Sequence, residues 1–213
     1  MKEFYRIMLG RGSIYADVCR QQGFIGAGFD INQDLTNSLP ENWRDFNKQF
    51  IPIFLEVNPN KSKIAAGLSC GALWTITKGI QIGDIVLSPN GQKRYFVGEV
   101  TGDYRFVADS DQPHQRPVTR YEQLLDKSDM SQSLRNSAGS IGTVSNVSKY
   151  RDELEKLIKG ESVIPSLISQ DPTVEDATVF ALEKHLEDFL VANWSSTPLG
   201  KTHDLYVTEE SNG

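Results

Sequence analysis

The sequence lacks the long apolar run that a membrane helix needs, and it contains little cysteine. Only 38% of its 213 residues are hydrophobic, and the mean hydropathy is -0.38. No stretch approaches the roughly 20 apolar residues of a spanning helix, and the segment MKEFYRIMLGRGS has no apolar signal-peptide core. The two cysteines, Cys19 and Cys70, cannot form a disulfide scaffold and match no zinc-binding spacing. We therefore expect no membrane span and a reducing, cytoplasmic location.

Motifs of the common enzyme classes are also missing. The chain has no Gly-rich dinucleotide or phosphate loop, no HExxH and no GxSxG. Three histidines (His114, His185 and His203) offer little material for a catalytic triad or a His-based metal site. These absences disfavour the enzyme classes that such motifs mark.

The acidity of the chain is concentrated in its C-terminal part. The net charge is -6, yet residues 1–128 hold 15 basic and 14 acidic residues, whereas 129–213 hold 7 and 14. Within 60–120, eight basic side chains stand against five acidic ones. This mild basic bias permits phosphate contacts without requiring them.

The first 60 residues predict a compact α+β unit. Strands are expected at 4–9 and 24–29, with Ser13 as the N-cap of a short helix between them. A helix is expected after Leu39-Pro40, running through Trp43, Phe46, Phe50 and Leu55, and Pro52 should kink or end it.

The middle of the chain changes from helical to β character. Ser62 is a suitable cap for a helix over 63–78, and strands are expected at 84–87 and over 94–107, as one long strand or a pair. Gly98 and Gly102 should bend this strand, as a small barrel requires.

The segment 128–148 is rich in Ser, Asn and Gly, a composition typical of a linker. It predicts a boundary between an N-terminal domain over 1–127 and a helical segment over 149–213. The strongest helical pattern lies in that segment, with a stripe of Val179, Leu182, Leu186 and Phe189.

A tryptophan, Trp74, precedes a β-rich stretch with a distinctive pattern. It reads GIQIGDIVL at 79–87, YFVGEVTGDYRF at 95–106 and PHQRPV at 113–118. This order of G-[IV]-x-x-G-D, a strand and a later G-x-V-x-x-x-Y strand resembles the PUA-like barrels, and in particular the EVE-type readers at the N-termini of restriction proteins. The resemblance spans most of 1–125 and implies a small PUA-like β-barrel with flanking helices.

The resemblance also implies a binding site for a flipped, modified cytosine in double-stranded DNA. Trp74, Tyr104 and Phe106 would line an aromatic pocket, where stacking contributes about 1–3 kcal/mol per base; alternatively these rings are barrel core. Phosphates or the base edge would be contacted by a set of polar side chains: Lys78, Arg105, His114 and Arg116. Asp84 would accept a hydrogen bond from an exocyclic amine, or it caps a turn.

A second motif lies near the C-terminus. The segments LEKHLEDFLVANW at 182–194 and TPLGKTHDLY at 197–206 resemble the opening of Mrr-like and NucS-like nuclease domains of the PD-(D/E)xK superfamily. That family places an acidic residue on this helix in a Mg²⁺ site, which implies a catalytic role for Glu183 or Glu187; alternatively both are solvated glutamates. The later Asp and Glu-x-Lys of the family are not found after Tyr206. The resemblance therefore predicts an incomplete metal site and an inactive nuclease segment, with Mg²⁺ needed only by a complete domain.

Together these two resemblances imply a DNA reader of a restriction-modification system. Its expected partner is duplex DNA carrying 5-methylcytosine or 5-hydroxymethylcytosine, with no membrane partner and with a homodimer allowed. Two alternatives stay open, an RNA-binding PUA-like module and a regulatory barrel that senses a small molecule.

Overall fold

The computed structural model describes residues 2–140 and 142–161, which form a mixed α+β unit around a curled seven-stranded sheet. The strands are β1 Phe4–Ile7, β2 Phe24–Ala27, β3 Ile85–Pro89, β4 Arg94–Val100, β5 Arg105–Phe106, β6 His114–Asp126 and β7 Val144–Asn146. The helices are α1 Ala16–Gln21, α2 Trp43–Val57, α3 Lys63–Trp74, α4 Gln132–Ala138 and α5 Arg151–Ile158. The predicted α+β class is confirmed.

The strand order of the sheet is β2-β6-β4-β3-β1-β7, with β5 also paired to β6. β1 runs parallel to β3 and antiparallel to β7, and the remaining pairs are antiparallel. A bulge between Phe96 and Gly98 interrupts the pairing of β4 with β6. A Cβ at Gly98 would lie 2.5 Å from Cγ1 of Val118, so only glycine fits this bend. The bend predicted at Gly98 is confirmed.

Both faces of the sheet are covered by hydrophobic clusters. Val86 of β3 belongs to a cluster with α2 and α3, while Ile85 and Leu87 belong to one with α4 and α5. This division follows from the alternation of side chains along a strand. The α2 contribution is a row of phenylalanines spaced by four (Phe46, Phe50 and Phe54).

Two local expectations for the N-terminal part differ from the structure. Pro52 lies inside α2 on its exposed side and does not end the helix, which continues to Val57 with the phenylalanine row packed on the core. Ser13 does not cap α1: it lies in a 3-10 turn with φ 67, and its hydroxyl donates to Sδ of Met8 at 3.2 Å. The predicted cap at Ser62 is confirmed, since its Oγ accepts from the Ala65 amide at 3.1 Å.

The helix α4 and the strand β7 lie within 128–148, the segment whose composition predicts a linker. Ser131 caps α4, and β7 pairs with β1. Arg6 of β1 is only 2% exposed, donates to the Ala138 carbonyl at 2.8 Å, and also donates to the carbonyls of Ser140 and Gly142. The segment therefore packs with the rest of the unit, since its polar groups cap a helix or accept hydrogen bonds from a buried arginine. Among the residues described, no helix is both long and apolar enough to cross a bilayer.

Candidate functional site

A cavity of about 780 Å³ lies where the end of α3, the turn before β3 and the loop between β4 and β5 meet. It brings together four of the seven nucleic-acid-binding residues predicted from sequence, namely Trp74, Lys78, Tyr104 and Arg116. The rest of its lining is Thr36, Leu39, Glu41, Thr77, Gly79, Gln81, Ile82 and Asp103. Phe106, Arg105 and His114 do not line it.

The Trp74 side of the cavity is built by an irregular helix end. α3 passes directly into a π-helical segment at Thr75–Gly79, a geometry often found at functional sites. The Trp74 indole donates from Nε1 to the Pro40 carbonyl at 3.1 Å, which fixes its plane. Trp74 is partly buried against the core and lines the cavity at once, so the core role and the pocket role coexist.

The Tyr104 side is held by a chain of hydrogen bonds through His114. His114 is fully buried, and its Nε2 lies 2.6 Å from the Ile31 carbonyl, so this nitrogen carries the proton. Nδ1 therefore accepts from the Tyr104 hydroxyl at 3.0 Å, while that oxygen accepts from the Leu35 amide at 3.1 Å. Burial lowers the pKa of His114 below its ordinary value. His114 thus positions Tyr104 from behind the cavity.

Arg116 joins the two sides. It is 4% exposed, and its Nε donates to the Gly102 carbonyl at 2.8 Å, while Nη1 donates to the Ile80 carbonyl at 2.7 Å. Within the described chain no carboxylate forms an ion pair with Arg116, and its Nη2 makes no hydrogen bond. Desolvation lowers its pKa, although a guanidinium stays charged at neutral pH. The cavity therefore contains a fixed cation with donor capacity to spare.

The remaining charges of the cavity balance one another. Lys78 forms an ion pair with Glu41 at 2.6 Å, so its ammonium is already engaged at the mouth. Asp103 is exposed and precedes Tyr104. With Arg116 these groups offer two cations and two carboxylates to a ligand.

Two other predicted contacts lie away from the cavity. Arg105 is exposed on β5, and both its Nε and its Nη2 donate to Oε1 of Gln115, at 3.1 and 3.0 Å. The Phe106 ring packs on the His114 ring with centroids 5.4 Å apart. Arg105 keeps the exposure that a phosphate contact needs, whereas Phe106 supports the cavity wall indirectly.

Asp84 caps the turn that precedes β3. It is 4% exposed, with Oδ1 accepting from the Glu3 amide at 2.9 Å and Oδ2 accepting from the Gln81 amide at 2.8 Å. Gly83 occupies the third position of this turn with φ 92, a conformation that favours glycine. Of the two roles considered for Asp84, the structure shows the turn cap.

Some cavity residues escape the sequence patterns. Gln81 and Ile82 fill the unspecified positions of G-[IV]-x-x-G-D, and Asp103 immediately precedes Tyr104, so proximity to the motif was an available signal. Thr36 and Glu41 come from a loop that carries no pattern and are brought in only by the fold.

No predicted catalytic residue falls within the part of the chain that the structure describes. Glu183 and Glu187 lie outside residues 2–140 and 142–161. Inside those ranges, His, Cys, Asp and Glu side chains form no group of three that could hold a metal ion.

Burial raises the pKa of the Cys19 and Cys70 thiols to about 11, which keeps both protonated at neutral pH.

Comparison with models of protein families finds a match. Residues 5–148 match a family described as a domain of unknown function, DUF8426. The chain belongs to the DUF8426 family. No curated protein and no solved structure matches it. The DUF8426 match runs from β1 past β7 and contains every residue that lines the cavity.

Proposed function

We propose that this DUF8426 chain reads modified cytosine in duplex DNA by accepting the flipped base in the cavity between Trp74 and Tyr104. The observation that carries the proposal is the convergence of Trp74, Lys78, Tyr104 and Arg116 on one cavity. Its volume of about 780 Å³ falls within the usual range for small-ligand pockets, about 300–1,000 Å³.

The polar groups of the cavity suit the hydrogen-bonding edge of cytosine. A carboxylate, from Asp103 or Glu41, accepts from an exocyclic amine such as that of cytosine N4. The unbonded Nη2 of Arg116 donates to a carbonyl or ring nitrogen. Enzymes and readers that extrude a base recognise it by such edge contacts together with stacking on aromatic rings.

The fold family, the cellular setting and the nuclease association belong to the same proposal. The curled sheet with flanking helices supports a PUA-like, EVE-type reader, and a cytoplasmic restriction system is the setting that the sequence resemblance implies. The association with a Mg²⁺-dependent nuclease, with Glu183 or Glu187 as an acidic ligand, rests on sequence alone. A homodimer and a modified duplex as partner stay predictions too.

A small-molecule sensor is the second candidate, and the charge of the cavity favours it. Lys78 and Arg116 are matched by Glu41 and Asp103, and Lys78 is already paired, so the mouth is not strongly attractive to phosphates. A sensor would bind a free nucleoside as tightly as the same base in DNA. A DNA reader would bind the duplex more tightly, with an affinity that falls as salt rises.

The test measures by fluorescence anisotropy how tightly variants at two tryptophans bind labelled duplexes. Each duplex carries one central cytosine, 5-methylcytosine or 5-hydroxymethylcytosine. We expect Trp74→Phe to reduce the preference for the modified base, and Trp74→Ala to remove it, a loss of about 1–3 kcal/mol. Trp43→Phe is the matched control, because Trp43 is 46% exposed on α2 and does not line the cavity.

Thermal melts of each variant separate lost recognition from lost folding. A wild-type chain that binds all three duplexes equally would overturn the modified-base reading. Equal losses for Trp74→Phe and Trp43→Phe would show that the cavity is not the recognition site.

A further inference from the structure

The turn before β3 carries an exposed apolar side chain at the rim of the cavity. Ile82 leaves 57% of its surface exposed and lines the 780 Å³ cavity. It also lines a second cavity of about 370 Å³, whose walls include Lys2 and Tyr5. Gly79, Gln81 and Ile82 are common to both cavities, so the turn forms a ridge between them.

The backbone of this ridge is held on both sides of Ile82. The Gly83 amide donates to the Val100 carbonyl at 2.8 Å, and the Asp84 amide donates to the Gln81 carbonyl at 3.1 Å. The Gln81 side chain donates from Nε2 to the carbonyls of Lys78 and Gly79. A fixed backbone therefore presents an apolar side chain to solvent.

Flipping one base leaves a gap in the duplex stack, and proteins that unstack DNA insert apolar side chains such as Leu, Ile or Met at such steps. We infer that Ile82 enters the duplex and fills the place of the base that moves into the cavity. This inference rests on the proposed function. The ridge shares a wall with the cavity, so a base that enters leaves its stack beside Ile82.

The chemistry of isoleucine suits this task. Its β-branch restricts χ1, so little rotamer freedom is lost when the side chain is inserted. Ile64, which is 78% exposed, and Leu68, which is 73% exposed, lie on α3 and do not line the cavity. Ile64 is therefore a control of the same residue type.

The experiment uses the full chain and a duplex in which 2-aminopurine, whose fluorescence rises on unstacking, lies next to the target cytosine. With wild type we expect a fluorescence rise on the preferred modified duplex. Ile82→Ala should reduce that rise by at least about threefold and weaken duplex binding about tenfold, because no large apolar side chain then fills the gap left by the unstacked base. Binding to the same oligonucleotide as a single strand should change less than about twofold, since it has little stacking to disrupt. Ile64→Ala should match wild type, and Ile82→Leu should retain most of the rise.

The outcomes separate this inference from the proposed function. A wild-type chain that neither raises the fluorescence of any duplex nor binds any single strand overturns both. A normal rise with Ile82→Ala overturns the insertion of Ile82 and leaves the base-reading function in place. Equal losses on duplex and single strand would make Ile82 a wall of the cavity rather than an inserted side chain.

Discussion

Replacing Arg116 by methionine should destabilise the protein far more than the same change at Arg105. Arg116 donates to the Gly102 and Ile80 carbonyls at 2.8 and 2.7 Å, and methionine leaves both acceptors without their charged donor. An unsatisfied buried acceptor costs about 1–3 kcal/mol. Methionine also removes the cost of burying an unpaired cation, which offsets part of this penalty. For two acceptors we therefore expect the free energy of unfolding to fall by about 2–4 kcal/mol. Arg105 is exposed, and its replacement should change the free energy of unfolding by less than about 1 kcal/mol.

Urea unfolding followed by tryptophan fluorescence measures the difference in the free energy of unfolding between the two variants. The change in the urea midpoint is converted to free energy with the same m-value for each variant. Arg116→Lys adds a second comparison, because an ammonium keeps the charge but has no planar fork to reach two carbonyls at once. We expect it to recover less than half of the loss. Equal midpoints for Arg116→Met and Arg105→Met would refute the argument that the Arg116 guanidinium joins the two sides of the cavity.

Two further predictions concern stability. Because burial lowers the pKa of His114, this side chain binds a proton more readily in the unfolded chain than in the folded one. The contribution of neutral His114 to stability is therefore complete above about pH 6.5 and is lost as the pH falls from there toward the pKa of the folded state. His114→Gln should reduce the dependence of the urea midpoint between pH 7 and 5.5, and an unchanged slope would contradict the burial argument. Arg6 holds 138–142 through three carbonyls, so Arg6→Met should make 128–148 sensitive to protease under native conditions, whereas wild type resists. Rapid cleavage of wild type in this segment would instead support a linker.

Local patterns predicted the elements whose partners are close in sequence. The cap at Ser62 and the apolar row of α2 each depend on a few neighbouring residues, and the bend at Gly98 was signalled by the glycine itself although its partner Val118 lies on β6. Trp74 and Tyr104 were also found from the motif that contains them, and both line the cavity. Their shared position there depends on the sheet and could only be expected through the resemblance.

The missed elements depend on partners far away along the chain. β6 was not predicted because it contains Pro117, which normally argues against a strand interior, and it carries charged residues. α4 and β7 were not predicted because their segment is rich in Ser and Asn, whose polar groups act as caps in the structure. The segment is also held by Arg6, whose carbonyl partners lie more than 130 residues later, and a local pattern does not show such a contact. Arg105 and Arg116 look equivalent in sequence, and only burial distinguishes them.

The placement of β1 inside the sheet has a consequence for synthesis of the chain. Residues 4–6 of β1 pair with 85–87 on one side, and residues 5–7 pair with 144–146 on the other. Among the strands that the structure describes, β1 comes earliest along the chain and β7 latest, so the hydrogen bonds of β1 are complete only after β7 has been made. Such long-range pairing slows folding and leaves strand edges open meanwhile. A nascent chain released before residue 146 would keep the edge of β1 that pairs with β7 unpaired. We therefore expect the risk of aggregation to be greater during synthesis than after folding.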